Sequence, residues 1–268
     1  MDSLEQPPQS LLVATANPDR VPFSVELGRE ARHHIKALRL RDGARVRVTN
    51  GRGAMWEGRL EAMAGGRSLL ACRLESTCAV EPLLPVLLAC GVAAKTRTLW
   101  LVEKAVELGV EVLQPIEFVR SASVADGARS PAFWNKARKR AEAALEQSGG
   151  AWLPELRDPI SLDAFLGSGR APASAEPPDE PWRILVTPAA DRELLERLAP
   201  WTGRDRLTLV IGPEGGLESS EREAIIAGGF RAARLGDRTL RFETAAIAAV
   251  AVVAQRATVE RKRSNADE

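Results

Sequence analysis

The sequence predicts an α/β protein in two parts, a small N-terminal β-barrel and a larger domain built on a mainly parallel sheet. Before about residue 80, short runs of alternating apolar and polar residues are separated by turn signals. Beyond it, apolar runs alternate with helical patterns, as in sheets covered on both faces. Near the C-terminus two loops, Ile211-Gly-Pro-Glu-Gly-Gly-Leu217 and Leu235-Gly-Asp-Arg-Thr-Leu-Arg-Phe-Glu-Thr-Ala245, each follow an apolar run and lead into a helix.

The chain has 268 residues, enough for one large domain or two smaller ones with ample core. In the first part, Arg45-Val-Arg-Val-Thr49 alternates between the turn signals Asp42-Gly43 and Asn50-Gly51, and Ser68 to Leu74 follows Gly65-Gly66. One short helical patch spans Arg29 to Leu38. After Glu81-Pro82, Leu83 to Ala89 reads as a buried strand ending at Gly91. A helix from Thr96 to Leu108, with Leu99, Val102 and Val106 on one face, closes at Gly109. Then come a strand from Val110 to Phe118 and a long basic helix from Pro131 to Ser148. Arg183 to Thr187 is a strand, followed by a helix capped by Asp191 and the strand Leu207 to Ile211. The helix after the first loop carries a capping box, Ser220-x-x-Glu223, and stops at Gly228-Gly229. A strand from Ala232 to Leu235 leads to the second loop.

The final helix, Thr244 to Ala254, is small and apolar around most of its circumference and is expected to be buried nearly all round. Core packing explains that, and so does close approach of helices at a subunit interface, the reading we favour. The resulting boundaries are 1–80 and 81–260, with a Pro-, Ala-, Gly- and Ser-rich surface excursion over 167–181 and a frayed tail over 261–268.

The net charge of +1 conceals local imbalance. Arg29 to Arg59 holds nine Lys or Arg against Glu30, Asp42 and Glu57, a surplus of six, and Arg129 to Arg140 is basic without an acid. Such density suits a polyanionic partner. It is equally what a solvated surface gives in an arginine-preferring chain, where only six of 37 basic residues are Lys. Three cysteines without CxxC spacing and two adjacent histidines make no zinc site or disulfide framework, so no metal is expected. The polar N-terminus does not read as a secretory signal. The longest apolar stretch, Pro82 to Ala94, is too short and proline-broken to cross a bilayer, so a cytoplasmic protein off the membrane is expected.

Glycines let the first loop approach a ligand closely. Glu214, however, stands where a phosphate-cradling loop has Lys followed by Ser or Thr, and would repel phosphates. The pattern predicts a neutral or cationic adenosine-type guest held by backbone groups.

Taken together the chain resembles the SPOUT class of methyltransferases, and more closely the RsmE family. The resemblance rests on Gly212-Pro-Glu-Gly-Gly-Leu217 and Leu235-Gly-x-Arg-x-Leu-Arg-x-Glu-Thr-Ala245. It is extended by Lys104-Ala-Val-Glu-Leu-Gly-Val110 with Gln114-Pro115 and Arg120-Ser121, by Ala144-Leu-Glu-Gln-Ser148, and by His34, Leu38-Arg39 and Gly43. Gly150 stands where relatives place Arg, and Phe242 replaces a small residue.

This resemblance implies a trefoil-knotted SPOUT domain behind a PUA-like RNA-gripping barrel, acting as a homodimer. It implies S-adenosylmethionine as cofactor, bound by Thr187, Pro188, Ile211, Gly212, Pro213, Glu214, Gly215, Gly216, Leu235, Gly236, Leu240, Thr244 and Ala245. The implied reaction is methylation of N3 of a uridine in 16S ribosomal RNA, within the small ribosomal subunit. A SPOUT ribose 2′-O-methyltransferase and a non-catalytic RNA-binding assembly protein are the alternatives.

Uridine N3 must lose a proton before it attacks a methyl group, which calls for a proton acceptor and a cation for charge spreading onto the uracil oxygens. Arg241 suits the cation role, and Glu243 is either the base or the residue that holds Arg241. A loop-stabilising salt bridge is the plainer account of that pair. Glu214 orders its own loop or faces the ligand's positive charge. Arg32, Arg39, Arg41, Arg45, Lys136, Arg140 and Arg238 are candidate RNA phosphate contacts. His34 reads as a barrel histidine.

Overall fold

A computed structural model describes residues 8–16, 20–62, 70–80, 83–121, 130–167 and 182–264. The Gly65-Gly66 turn, Arg129, most of the 167–181 excursion and residues 265–268 lie outside them. The chain divides into two compact units, one comprising residues up to 83 with 142–153, the other 84–141 with 154 onward.

The first unit is a five-stranded sheet in the order β1-β3-β4-β5-β2. The strands are β1 (Gln9–Leu12), β2 (Phe23–Glu26), β3 (Arg45–Thr49), β4 (Met55–Ala62) and β5 (Leu70–Thr77), with α1 (Arg29–Ala37) following β2. β1 runs parallel to β3 and the other pairs are antiparallel. The alternation seen in β3 places Val46 and Val48 in the core, against Leu11, Leu60, Leu74 and the buried face of α1, Ala31 and Ile35.

Residues 142–153, which the sequence reading assigned to the C-terminal domain, cluster with this sheet. Glu146 accepts the Leu12 N–H at 2.8 Å and lies 3.3 Å from His34 Nδ1. Gly53 donates to the Ala151 carbonyl and Leu153 to that of Gly51, both at 2.9 Å. The Trp152 indole covers Gly53, where a Cβ would stand 2.1 Å from the ring. Helical periodicity over Pro131 to Ser148 is continuous, and a continuous pattern does not reveal which core each end packs on.

The second unit is a parallel sheet of seven strands in the order β12-β10-β11-β6-β7-β8, with β9 also pairing with β7. In chain order its elements are β6 (Leu84–Gly91), α2 (Lys95–Glu107), β7 (Val110–Glu117), α3 (Pro131–Ser148), β8 (Glu155–Leu156), β9 (Ile160–Ser161) and α4 (Leu162–Gly167). Then follow β10 (Trp182–Val186), α5 (Leu194–Arg197), β11 (Leu207–Ile211), α6 (Ser219–Ala227), β12 (Arg231–Ala233) and α7 (Phe242–Ser264). The central strands are buried along nearly their whole length, which is why they read as continuous apolar runs.

Three local expectations are corrected. Asp191 does not cap a helix; α5 is a single turn that follows Glu193, and Asp191 pairs with Arg197 at 3.4 Å. The start of α6 uses Glu221, which accepts the Glu218 N–H at 2.9 Å, instead of Ser220 and Glu223. A distant partner sets that register, because Glu221 also accepts the Val119 N–H at 2.7 Å. Residues 261–264 continue α7 as helix.

Within a single chain, α7 is buried on one face. Ala246, Ala249, Val250, Val253 and Ala257 are inaccessible, while Thr244 and Gln255 are exposed and Ala248, Ala251 and Val252 are partly so. The helix packs against α2, α5, β6 and β11. By length and composition it is also the one described helix apolar enough to cross a membrane, a property the sequence reading assigned to no segment.

Candidate active site

In a parallel sheet the loops leaving the C-terminal strand ends share one edge, where ligand sites form. The pairings Val186↔Ile211 and Val186↔Ala233 bring the ends of β10, β11 and β12 side by side, and Ile211↔Cys90 adds the end of β6. Burial pushes the Cys90 thiol up to about 12, so it is an inert packing group.

The first loop is held from several sides. Arg120, in the turn after β7, donates from Nη1 to the Gly215 carbonyl at 2.9 Å. A Cβ on Gly212 would come within 2.9 Å of Leu217, and one on Gly215 within 2.9 Å of the Arg120 side chain. Gly216 has φ +73, where only glycine is unstrained.

The loops enclose a cavity of about 520 Å³. Thr187, Pro188, Ile211, Gly212, Pro213, Glu214 and Gly216 line it on one side, and Leu235, Gly236, Leu240 and Ala245 on the other. Arg238 and Arg241 also line it. Gly215 and Thr244 lie outside the lining, Gly215 against Arg120 and Thr244 exposed on α7.

Glu243 is absent from the lining too. Its Oε1 lies 3.8 Å from Arg97 Nε, while Oε2 is buried with no hydrogen-bond partner. Arg241 is exposed and makes no ion pair among the described residues, so Arg97 is the cation beside Glu243. Glu214 pairs with the same guanidinium, 2.7 Å from Arg97 Nη1. Sequence reasoning missed Arg97, which carries no local signal because its partners lie more than a hundred residues away. It also missed Ser219 and Arg222, which line the cavity from the first turn of α6, a helical i, i+3 pair that periodicity does reveal. Phe242 is buried and forms part of the wall.

The proposed phosphate contacts fall in both units. Arg39 and Arg41 are exposed just beyond α1, Arg39 at φ +55, and Arg32 donates to the Gly28 carbonyl at 3.4 Å. Arg45 lies 3.3 Å from Glu57, and Arg140 lies 3.1 Å from Glu103, so both share their charge with an acid. Lys136 is exposed on α3. Among the described residues no group of three His, Cys, Asp or Glu could hold a metal ion.

A family model for the RNA methyltransferase domain matches residues 80–254, and one for the RNA methyltransferase PUA domain matches residues 27–71. The chain belongs to the RNA methyltransferase family. The ribosomal RNA small subunit methyltransferase E of Mycobacterium bovis is 27% identical over 237 residues, 88% of this chain and 87% of that protein. The protein of the same name from Synechocystis is 28% identical over 223 residues, covering 82% and 69% respectively. Among solved structures, a methyltransferase from Legionella pneumophila with bound SAM superposes with a TM-score of 0.75 at 26% identity, covering 91% of this chain and 95% of that one. The Neisseria gonorrhoeae ribosomal RNA small subunit methyltransferase E bound to S-adenosyl methionine shares the fold, with a TM-score of 0.74 at 22% identity over 92% of this chain and 97% of that one. The architecture is thus a SPOUT methyltransferase domain with a PUA-like N-terminal domain, as expected for this methyltransferase family.

Proposed function

We propose that this protein transfers a methyl group from S-adenosylmethionine to N3 of a uridine in 16S ribosomal RNA, within the small ribosomal subunit. It does so in the cytoplasm and as a homodimer. The observation that carries the reading is the cavity where the loops after β10, β11 and β12 meet, with Arg241 on its wall in no ion pair among the described residues, and no phosphate-binding lysine in its glycine-rich loop. The residues fit the cofactor. Gly212 and Gly216 bring backbone close without side chains, Leu217 and Leu240 supply apolar wall, and the paired Glu214 leaves room for a cationic ligand. Bound S-adenosylmethionine supplies an electrophilic methyl group.

The chain's own residues do the rest. Arg241 offers a fixed fork of donors to the uracil oxygens as N3 loses its proton. Glu243, turned toward Arg97, acts as a positioning group in this geometry, or takes the proton after its loop moves. Arg238 on the rim and the basic residues Arg32, Arg39, Arg41, Arg45, Lys136 and Arg140 serve phosphates of the RNA. The PUA-like match over residues 27–71 supports that role for the first unit. Thr244, Ala248 and Ala251, on a helical face of α7 left accessible, supply the small side chains that a partner helix approaches.

The test is methyl transfer to small ribosomal subunits from a strain lacking this gene, with the modified nucleoside identified by mass spectrometry. N3-methyluridine is the expected product. A ribose-methylated nucleoside, or no transfer despite cofactor binding, would refute the assignment.

A further inference from the structure

Arg97 joins three elements that the sequence keeps far apart. It projects from the first turn of α2 and lines the cavity. Nη1 holds Glu214 of the first loop at 2.7 Å, and Nε faces Glu243, in the first turn of α7, at 3.8 Å. Glu243 is largely buried and its second carboxylate oxygen has no hydrogen-bond partner, so Arg97 is the cation that offsets its charge. Glu214 and Glu243 therefore share one guanidinium, and without it two carboxylates would face each other across the junction of the first loop and the α7 start. Both flank the cavity, Glu214 directly and Glu243 through its neighbour Phe242.

We infer that Arg97 is a positioning residue for the reaction. Its guanidinium ties the first cofactor loop to the start of α7 and thereby fixes the spacing between the two walls of the cavity. Arg120 restrains the same loop through the Gly215 backbone, and its ion pair is with Glu218. Among the described residues, Arg97 is the side chain whose ion pairs join the loop to the start of α7. A planar guanidinium serves two separated carboxylates with different nitrogens, which a single ammonium does less well. The inference rests on the methyltransferase reading above.

The experiment measures S-adenosylmethionine binding by calorimetry, together with kcat and KM, for the full-length wild type, Arg97→Ala, Arg97→Lys, Glu214→Gln and the Arg97→Ala/Glu214→Gln double variant. Arg97→Ala is expected to weaken cofactor binding about tenfold or more, with KM for the cofactor rising in step. Arg97→Lys should recover part of that loss. The double variant should bind about as weakly as Arg97→Ala alone, because both substitutions break one interaction. Cofactor binding within about twofold of wild type in Arg97→Ala, with only the melting temperature lowered, would overturn the inference, as would fully additive losses in the double variant. Should Arg97→Ala fail to fold, Glu243→Gln carries the same test, because Glu243 lies outside the cavity lining: several-fold weaker binding supports the clamp, and unchanged binding sinks it. Lack of cofactor binding by the wild type would instead overturn the functional reading itself, and this inference with it.

Discussion

Gly91 at the end of β6 lies directly beneath Pro213, so close that a Cβ on residue 91 would stand 2.7 Å from the Pro213 Cα. The neighbour is backbone of the first glycine-rich loop and cannot rotate away. Gly91→Ala should therefore lift the loop, costing about 1–3 kcal/mol of stability by overpacking. S-adenosylmethionine affinity should fall with it. A titration showing wild-type affinity in the variant would mean the loop adjusts without reshaping the cavity.

Arg241 is exposed on the cavity wall and makes no ion pair among the described residues. Arg241→Ala should lower turnover about 10²–10³-fold, as loss of a charge-stabilising donor does, while cofactor affinity stays within several-fold. Single-turnover methyl transfer alongside calorimetry separates the two effects, and unchanged turnover would remove Arg241 from the chemistry.

In the first unit Gly53 has φ +88 beneath the Trp152 indole. Gly53→Ala adds both a strained backbone and a ring clash, for a loss of roughly 2–4 kcal/mol. Urea unfolding checks the magnitude. The cavity lined by Arg97 and Arg241 is built wholly from the other unit, so cofactor affinity of the folded variant should not change.

Burial raises the Glu146 carboxyl above its usual range, and the Leu12 N–H and His34 oppose that shift only partly. A carboxyl with a folded pKa above its unfolded one favours folding while protonated. That stabilisation is complete below the unfolded pKa and is lost as pH rises through the folded pKa. Glu146→Gln mimics the neutral form. Its melting temperature should gain on wild type between about pH 5 and pH 8, with the gain vanishing near about pH 4 or below. A difference independent of pH would rule out this titration as its origin.

Burial pushes the Cys72 thiol up to about 12, with the Glu61 and Glu75 charges adding to it, and Cys90 reaches the same range by burial alone. Cys78 is raised by burial too but is only partly covered. Alkylation of the native protein near about pH 8 should label Cys78 alone, with Cys72 and Cys90 reacting only after denaturation. Mass spectrometry of the labelled peptides decides it.

Much of the site was legible in sequence because its chemistry is local. The loops around Gly212–Leu217 and Leu235–Ala245 each follow an apolar strand, and parallel topology carries both to one sheet edge. What was illegible is pairwise and distant. The sequence offered Glu243 either as the base or as the residue that holds Arg241, yet the cation beside it is Arg97. Glu221 is likewise diverted into the helix start by Val119, about a hundred residues upstream.

The sequence by itself determined the order of the main strands and helices after residue 83, apart from β8, β9 and α4, together with the change of pattern near residue 80 and a glycine-rich loop unsuited to phosphate, because propensity, periodicity and turn chemistry act over a few residues. Tertiary structure alone decided that residues 142–153 join the first unit, which face of α7 the chain's own core covers, and that one guanidinium serves Glu214 and Glu243. Those outcomes depend on which surfaces meet after folding, and the charge and hydrogen-bond partners that fix them come from segments a hundred residues apart.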